Sequence, residues 1–150
     1  MNKLIATLLA GSVLAFSPAF AADDAAAAIA MVEKGTAYMK KNGKDALIKA
    51  VNAKSPEFVS ERVYLTVRAL DGTQLAHPVN FKLVGKNLVV LPDADGKLFR
   101  KEIIGQAQAK GSGWVDYRYN NPTTGEIEKK STYFFKSGEV ILEAGIYKGK

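Results

Sequence analysis

The sequence predicts an α+β domain built on an antiparallel sheet: an N-terminal helix, five strands, and another helix inserted between strands two and three. Three observations carry this. Apolar residues recur at helical spacing from Ala25 to Asn42, the period shortens from 3.6 to 2 at Val63, and the last forty residues read as strand throughout, broken only by turn-forming clusters.

In the first helix Ala25, Ala28, Ile29, Val32, Thr36 and Met39 share one face. Asp23 and Asp24 precede it, Lys40 and Lys41 close it in accord with the helix dipole, and Asn42-Gly43 supplies a stop. Leu47, Ala50 and Val51 mark a shorter helix over Asp45 to Ala53, which Ser55-Pro56 ends. Val63, Leu65, Val67 and Ala69 then alternate with Tyr64, Thr66 and Arg68. Asp71-Gly72 suits a tight hairpin into Gln74 to His77. The segment from His77-Pro78 to Gly85 is irregular, and long loops inside small domains tend to carry function. Phe99, Ile103 and Ala107 predict a helix within Lys97 to Ala109, closed by Lys110-Gly111. Trp114 to Tyr119, Glu128 to Phe135 and Val140 to Tyr147 are the remaining strands, separated by Asn120 to Gly125 and by Lys136-Ser137-Gly138.

The first residues have the three parts of a signal peptide: Met1-Asn2-Lys3, an apolar run from Leu4 to Phe16, and a small-x-small exit ending at Ala21. The run is about 13 residues, and a membrane-spanning helix needs roughly 20. Cleavage after Ala21 leaves residues 22–150 as one domain, and its formal charge falls from +6 to +5 because one lysine and no acid are lost. Basic residues are interleaved with acids from Lys34 onward, which excludes a nucleic-acid-binding stripe and leaves a general capacity to attract anions. The absence of cysteine removes disulfides, thiol catalysis and thiolate metal sites.

Several short blocks then stand in a consistent order: His77-Pro78, Leu83-Val84-Gly85-Lys86-Asn87-Leu88, Asp93-Ala94-Asp95-Gly96-Lys97, Gly113 to Tyr119, Asn121-Pro122-Thr123-Thr124-Gly125, Lys130-Ser131-Thr132-Tyr133 and Ala144-Gly145-Ile146-Tyr147. Together they resemble the single Cache domain over nearly the whole mature chain. The resemblance implies a PAS-like fold, a long N-terminal helix on a five-stranded antiparallel sheet whose outer face and loops form a small pocket. It also implies an extracytoplasmic sensor whose ligands are often short organic acids. Two positions depart from the family pattern: Phe81 where a second proline is usual, and Glu143 where a glycine is common.

Alternation along a strand puts Val115, Tyr117 and Tyr119 on one face and Trp114, Asp116 and Arg118 on the other, so one set alone can line a cavity. The resemblance favours the Tyr117 and Tyr119 side, with Trp114 near the strand's start. The candidate ligand-binding residues are His77, Trp114, Tyr117, Tyr119, Lys130 and Tyr133. Phenol hydroxyls and one ammonium suit a carboxylate, and a semi-buried Lys130 finds its natural partner in an anionic ligand. The same pattern also fits amphipathic core tyrosines with a lysine that reaches to water.

His77, the only histidine, lacks the nucleophile and orienting partner that catalysis requires. Asp93, Asp95, Gly96 and Glu102 match part of a calcium-loop spacing, but Leu91 occupies the position of the leading carboxylate, and a turn into the helix is the better reading. No cofactor and no metal are therefore expected. The expectation is a periplasmic or secreted binding domain for a short carboxylate, without catalytic activity. It would bind no nucleic acid, have no membrane span once the signal is removed, and act with a membrane receptor or kinase. The alternative is an interaction module that keeps the fold without the pocket, which Phe81 and Glu143 motivate.

Overall fold

The computed structural model describes residues 18–149. Most of the expected signal peptide lies outside the described residues. Helix α1 spans Pro18–Asn42 and α2 Lys44–Asn52. Gly43, at φ 92°, separates them, and its N–H caps the Met39 carbonyl at 2.8 Å. The described helix begins seven residues before Ala25, so Asp23 and Asp24 sit beyond its first turn.

The strands are β1 Leu65–Ala69, β2 Gln74–Ala76, β3 Ser112–Asn120, β4 Ile127–Ser137 and β5 Val140–Tyr147, with α3 at Phe99–Lys110 between β2 and β3. All pair antiparallel in the order β2-β1-β5-β4-β3. Chain order and spatial order differ at one place: β5 returns to the middle of the sheet, between β1 and β4. It is therefore buried along almost its whole length.

Alternation along the strands divides the molecule. Leu65, Val67, Leu142, Ala144 and Ile146 face α1 and α2, where they pack with Ala28, Val32, Leu47, Val51 and Phe58. On the opposite face Val115, Phe134 and Ile141 pack with Phe99, Ile103 and Ala107 of α3. Helix α3 covers only part of this second face. The irregular segment 77–98, which contains one 3-10 turn at Phe81–Leu83, forms a roof at the margin of this face, with Val89 on the apolar cluster and the Leu91 carbonyl bonded to Arg100. Backbone bonds from Gln74 N to Lys86 O (2.9 Å) and Gly85 N to Gln74 O (2.8 Å) tie that segment to the outer edge of β2.

The outer edge of β3 is also occupied. Asp93 Oδ1 accepts the N–H groups of Asp95 (3.0 Å) and Lys97 (2.8 Å), and its Oδ2 accepts that of Arg118 in β3 (2.9 Å). Lys97 Nζ donates to the Asp116 carbonyl at 2.6 Å. The calcium-like spacing is thus a turn whose carboxylate serves the backbone. Slight burial opposes ionisation of Asp93, but its three N–H donors outweigh that and hold the carboxyl below the usual range.

Candidate functional site

Between the sheet and its roof lies a small, partly open pocket, whose empty space with the open mouth included is about 340 Å³. Its floor is the polar half of the strand alternation: Tyr64, Thr66 and Arg68 before and along β1, Glu143 and Gly145 on β5, Lys130 and Thr132 on β4. Tyr117 and Tyr119 of β3 form one wall, Phe99 and Arg100 of α3 another, and Gln74 and His77 close the far side. Phe99 stacks on Tyr117 at 3.8 Å between centroids, so this wall is flat and apolar.

Three cations, Arg68, Arg100 and Lys130, and one carboxylate, Glu143, are buried here. Arg68 Nε and Nη2 donate to the two oxygens of Glu143 at 2.6 and 3.0 Å. Burial alone would lower the Arg68 guanidinium, but the Glu143 charge and hydrogen bonds outweigh it and raise it further. Its remaining nitrogen, Nη1, is buried and has no hydrogen-bond partner. Such an orphaned donor costs about 1–3 kcal/mol until something accepts from it.

Lys130 is 4% exposed and, among the described residues, has no carboxylate partner. Its Nζ donates to the hydroxyls of Tyr64 (2.8 Å) and Tyr147 (3.4 Å), and sits 4.4, 4.7 and 5.3 Å from the ring centroids of Tyr64, Tyr147 and Tyr119. Phenols and ring faces only partly replace water. Burial accordingly pulls the ammonium down to about 7, against a smaller opposing pull from Glu143. Gly145 makes the placement possible: a Cβ there would collide with Lys130 Cε and Thr132 Oγ1.

Arg100 lies over the Phe99 ring at 4.2 Å and donates from Nη1 to the Leu91 carbonyl at 3.1 Å, which ties the roof to α3. Burial lowers it. His77 is held at its backbone by Asn52 Oδ1 (3.1 Å) and at its ring by the Asn80 N–H, which donates to Nδ1 at 2.9 Å. Burial, then the charges of Lys130, Arg68 and Arg100, push its pKa down to about 3, so the ring is neutral. With three cationic side chains against one carboxylate, the lining is set to attract an anion.

Of the six residues singled out in the sequence, His77, Tyr117, Tyr119 and Lys130 come together around this cavity. Trp114 and Tyr133 do not. They are cross-strand partners whose rings lie 5.3 Å apart on the other face, packed against the core under α1. The reason is parity: Trp114 is an odd step from Tyr117, and Tyr133 from Lys130. Arg68, Arg100 and Glu143 were not among the six. Arg68 was legible in the alternation of Tyr64, Thr66 and Arg68, a set that alternation alone assigns to solvent. Glu143 does introduce an acid, and Arg68 engages it. Phe81 is 65% exposed on the roof and does not line the cavity. Among the described residues no group of three or more His, Asp or Glu side chains is placed to hold a metal, and no helix is long and apolar enough to cross a membrane.

A helical layer on one face of a five-stranded antiparallel sheet and a roofed polar pocket on the other define a PAS-like ligand-sensing domain. The chain belongs to the single Cache domain family, whose second class matches residues 21–148; these are extracytoplasmic sensor domains. Methyl-accepting chemotaxis protein McpP of Pseudomonas putida KT2440 is 30% identical over 86 residues, 56% of this chain but 16% of that receptor. The chain thus aligns with about a sixth of that relative's length. Among solved structures, a Cache chemosensory domain studied for carboxylic acid recognition superposes with TM-score 0.74 at 20% identity, covering 87% of this chain and 97% of that one. The periplasmic sensor domain of a chemotaxis protein superposes with TM-score 0.70 at 25% identity, covering 89% and 99%. A methyl-accepting chemotaxis protein from Vibrio parahaemolyticus gives TM-score 0.74 at 20% identity, over 87% and 92%.

Proposed function

We propose that this chain is an exported binding domain for a short organic acid, and that it performs no covalent chemistry. Its ligand-bound state would be read by a membrane receptor or kinase. The observation that carries the reading is the unpartnered, buried Nη1 of Arg68, a residue that lines the same cavity as Lys130, which has no carboxylate partner among the described residues. One incoming carboxylate gives both donors an acceptor and supplies the missing negative charge. The carboxylic acid recognition described for a Cache relative supports the same ligand class. The basic start, apolar run and Ala21 exit support export. A cut after Ala21 would leave Asp23 and Asp24 in the first turn of α1, where the helix dipole favours acids.

A ligand of about six heavy atoms has a ceiling near −9 kcal/mol, so binding is no tighter than about 0.3 μM. Thermal shift against acetate, propionate, pyruvate and lactate tests the reading: a titratable rise in melting temperature supports it. Lys130→Ala is expected to weaken binding by at least about tenfold. No response to any acid would favour an interaction module instead.

A further inference from the structure

We infer that His77 determines specificity in this pocket: it donates its Nε2–H to an oxygen that the ligand carries next to its carboxylate. The site then selects 2-oxo or 2-hydroxy acids over unsubstituted alkanoates. This rests on the carboxylate reading above and goes beyond it.

The tautomer follows from geometry. The Asn80 backbone N–H donates to Nδ1 at 2.9 Å, and a backbone amide can only donate. Nδ1 therefore holds a lone pair, and the single ring proton of a neutral imidazole must sit on Nε2. Three cations around the same cavity keep the ring from taking a second proton. His77 is thus a neutral donor with its tautomer fixed, unlike the charged donors beside it.

The donor is also held in place. Asn52 of α2 accepts the His77 N–H through Oδ1 and donates through Nδ2 to the Leu75 carbonyl at 3.1 Å, so the residue is clamped to the end of β2. The ring lies tilted against Tyr64, with centroids 5.4 Å apart, and 5% of the residue is exposed. Among the described residues nothing accepts from Nε2. The Tyr64 hydroxyl is already engaged by Lys130 Nζ, and the Glu143 oxygens are engaged by Arg68.

The charges decide what remains for His77. Arg68 Nη1, Lys130 and Arg100 are the donors that a carboxylate prefers, because the attraction between opposite full charges adds to the hydrogen bond. A neutral N–H in the same cavity is best matched by a neutral oxygen, a ketone or a hydroxyl on the adjacent carbon. A methylene at that place leaves the N–H desolvated and unpaired. Sites built around such a bond discriminate strongly against ligands that lack the acceptor.

The test compares pyruvate and lactate with propionate, of similar size, by isothermal titration on the wild type and on His77→Asn. The asparagine Oδ1 can still accept from the Asn80 N–H, while the distal donor is removed. The wild type is expected to prefer pyruvate over propionate by at least about tenfold. In the variant the ratio should fall toward one, whatever the absolute affinities become. Should the variant fold poorly, the wild type alone decides through its one histidine: the Nε2 proton resonance should move downfield with pyruvate and not with propionate. Equal affinities in the wild type, or an unchanged ratio in His77→Asn, overturn the inference while leaving the carboxylate reading intact. Failure of all three acids to bind removes both.

Discussion

Raising the pH from 6 to 8 is expected to weaken binding of a short carboxylate by about tenfold, and Lys130 sets the size of the loss. Burial holds its ammonium at about 7 in the empty pocket. About nine in ten copies are then protonated at pH 6, half at pH 7 and about one in eleven at pH 8. The charged form attracts the anion and the neutral amine does not, so affinity follows the protonated fraction. The tenfold loss corresponds to about 1.4 kcal/mol. The other groups facing Lys130 do not compete in this range: His77 stays neutral down to about 3, burial pushes Tyr64 and Tyr147 above the usual tyrosine value, and Arg68 remains charged beside Glu143. The ligand-free protein should show the opposite trend. Lys130 has its pKa lowered by folding, so between pH 7 and its unfolded value of 10.5 the unfolded chain binds more protons. Its contribution to stability therefore rises with pH in that window, by up to about 1.4 kcal/mol per unit. Isothermal titration at pH 6, 7 and 8, in buffers of different ionisation enthalpy, measures affinity and proton uptake together. At pH 8 nearly one proton should be taken up per ligand. A flat profile, or the same slope in Lys130→Met, would refute the reasoning.

Three further outcomes follow from the same geometry. Glu143→Gln leaves the buried Arg68 without its counter-charge and should destabilise the free protein by about 3–5 kcal/mol; a saturating carboxylate should then raise the melting temperature more than it does in wild type. Gly145→Ala drives a methyl group into Lys130 and Thr132, so titration should show carboxylate affinity falling at least about tenfold; calorimetry should show a cost of about 1–3 kcal/mol, partly recovered in the double variant with Lys130→Ala. Asp93→Ala removes three backbone acceptor contacts. It should cost about 1–2 kcal/mol and, by freeing the outer edge of β3, raise the concentration-dependent light scattering of the folded protein.

The elements were legible because their signals were local. Helical spacing with lysines and Asn-Gly at its end marked α1, and turn clusters bracketed β3, β4 and β5 to within a few residues. The site was legible only where a loop or a family block pointed to it, as with His77, Tyr117, Tyr119 and Lys130. Arg68 escaped because a polar residue alternating with apolar ones normally faces water, and Arg100 because a basic residue on a helix carries no local sign that its face will be buried. Trp114 and Tyr133 show the converse: chemically plausible residues are excluded by one step of strand parity. Strict use of that parity from Tyr117 and Lys130 would have rejected both.

The central position of β5 has a mechanical consequence. On this one strand Glu143 and Gly145 touch the cavity, while Leu142, Ala144 and Ile146, their immediate neighbours, carry the core beneath α1. The wall between ligand and helix is a single backbone thick. Between the cavity and α1 there stand only this backbone and one layer of its side chains, Leu142, Ala144 and Ile146. β5 is thus the strand through which the polar floor of the cavity and the apolar seat of α1 are joined back to back.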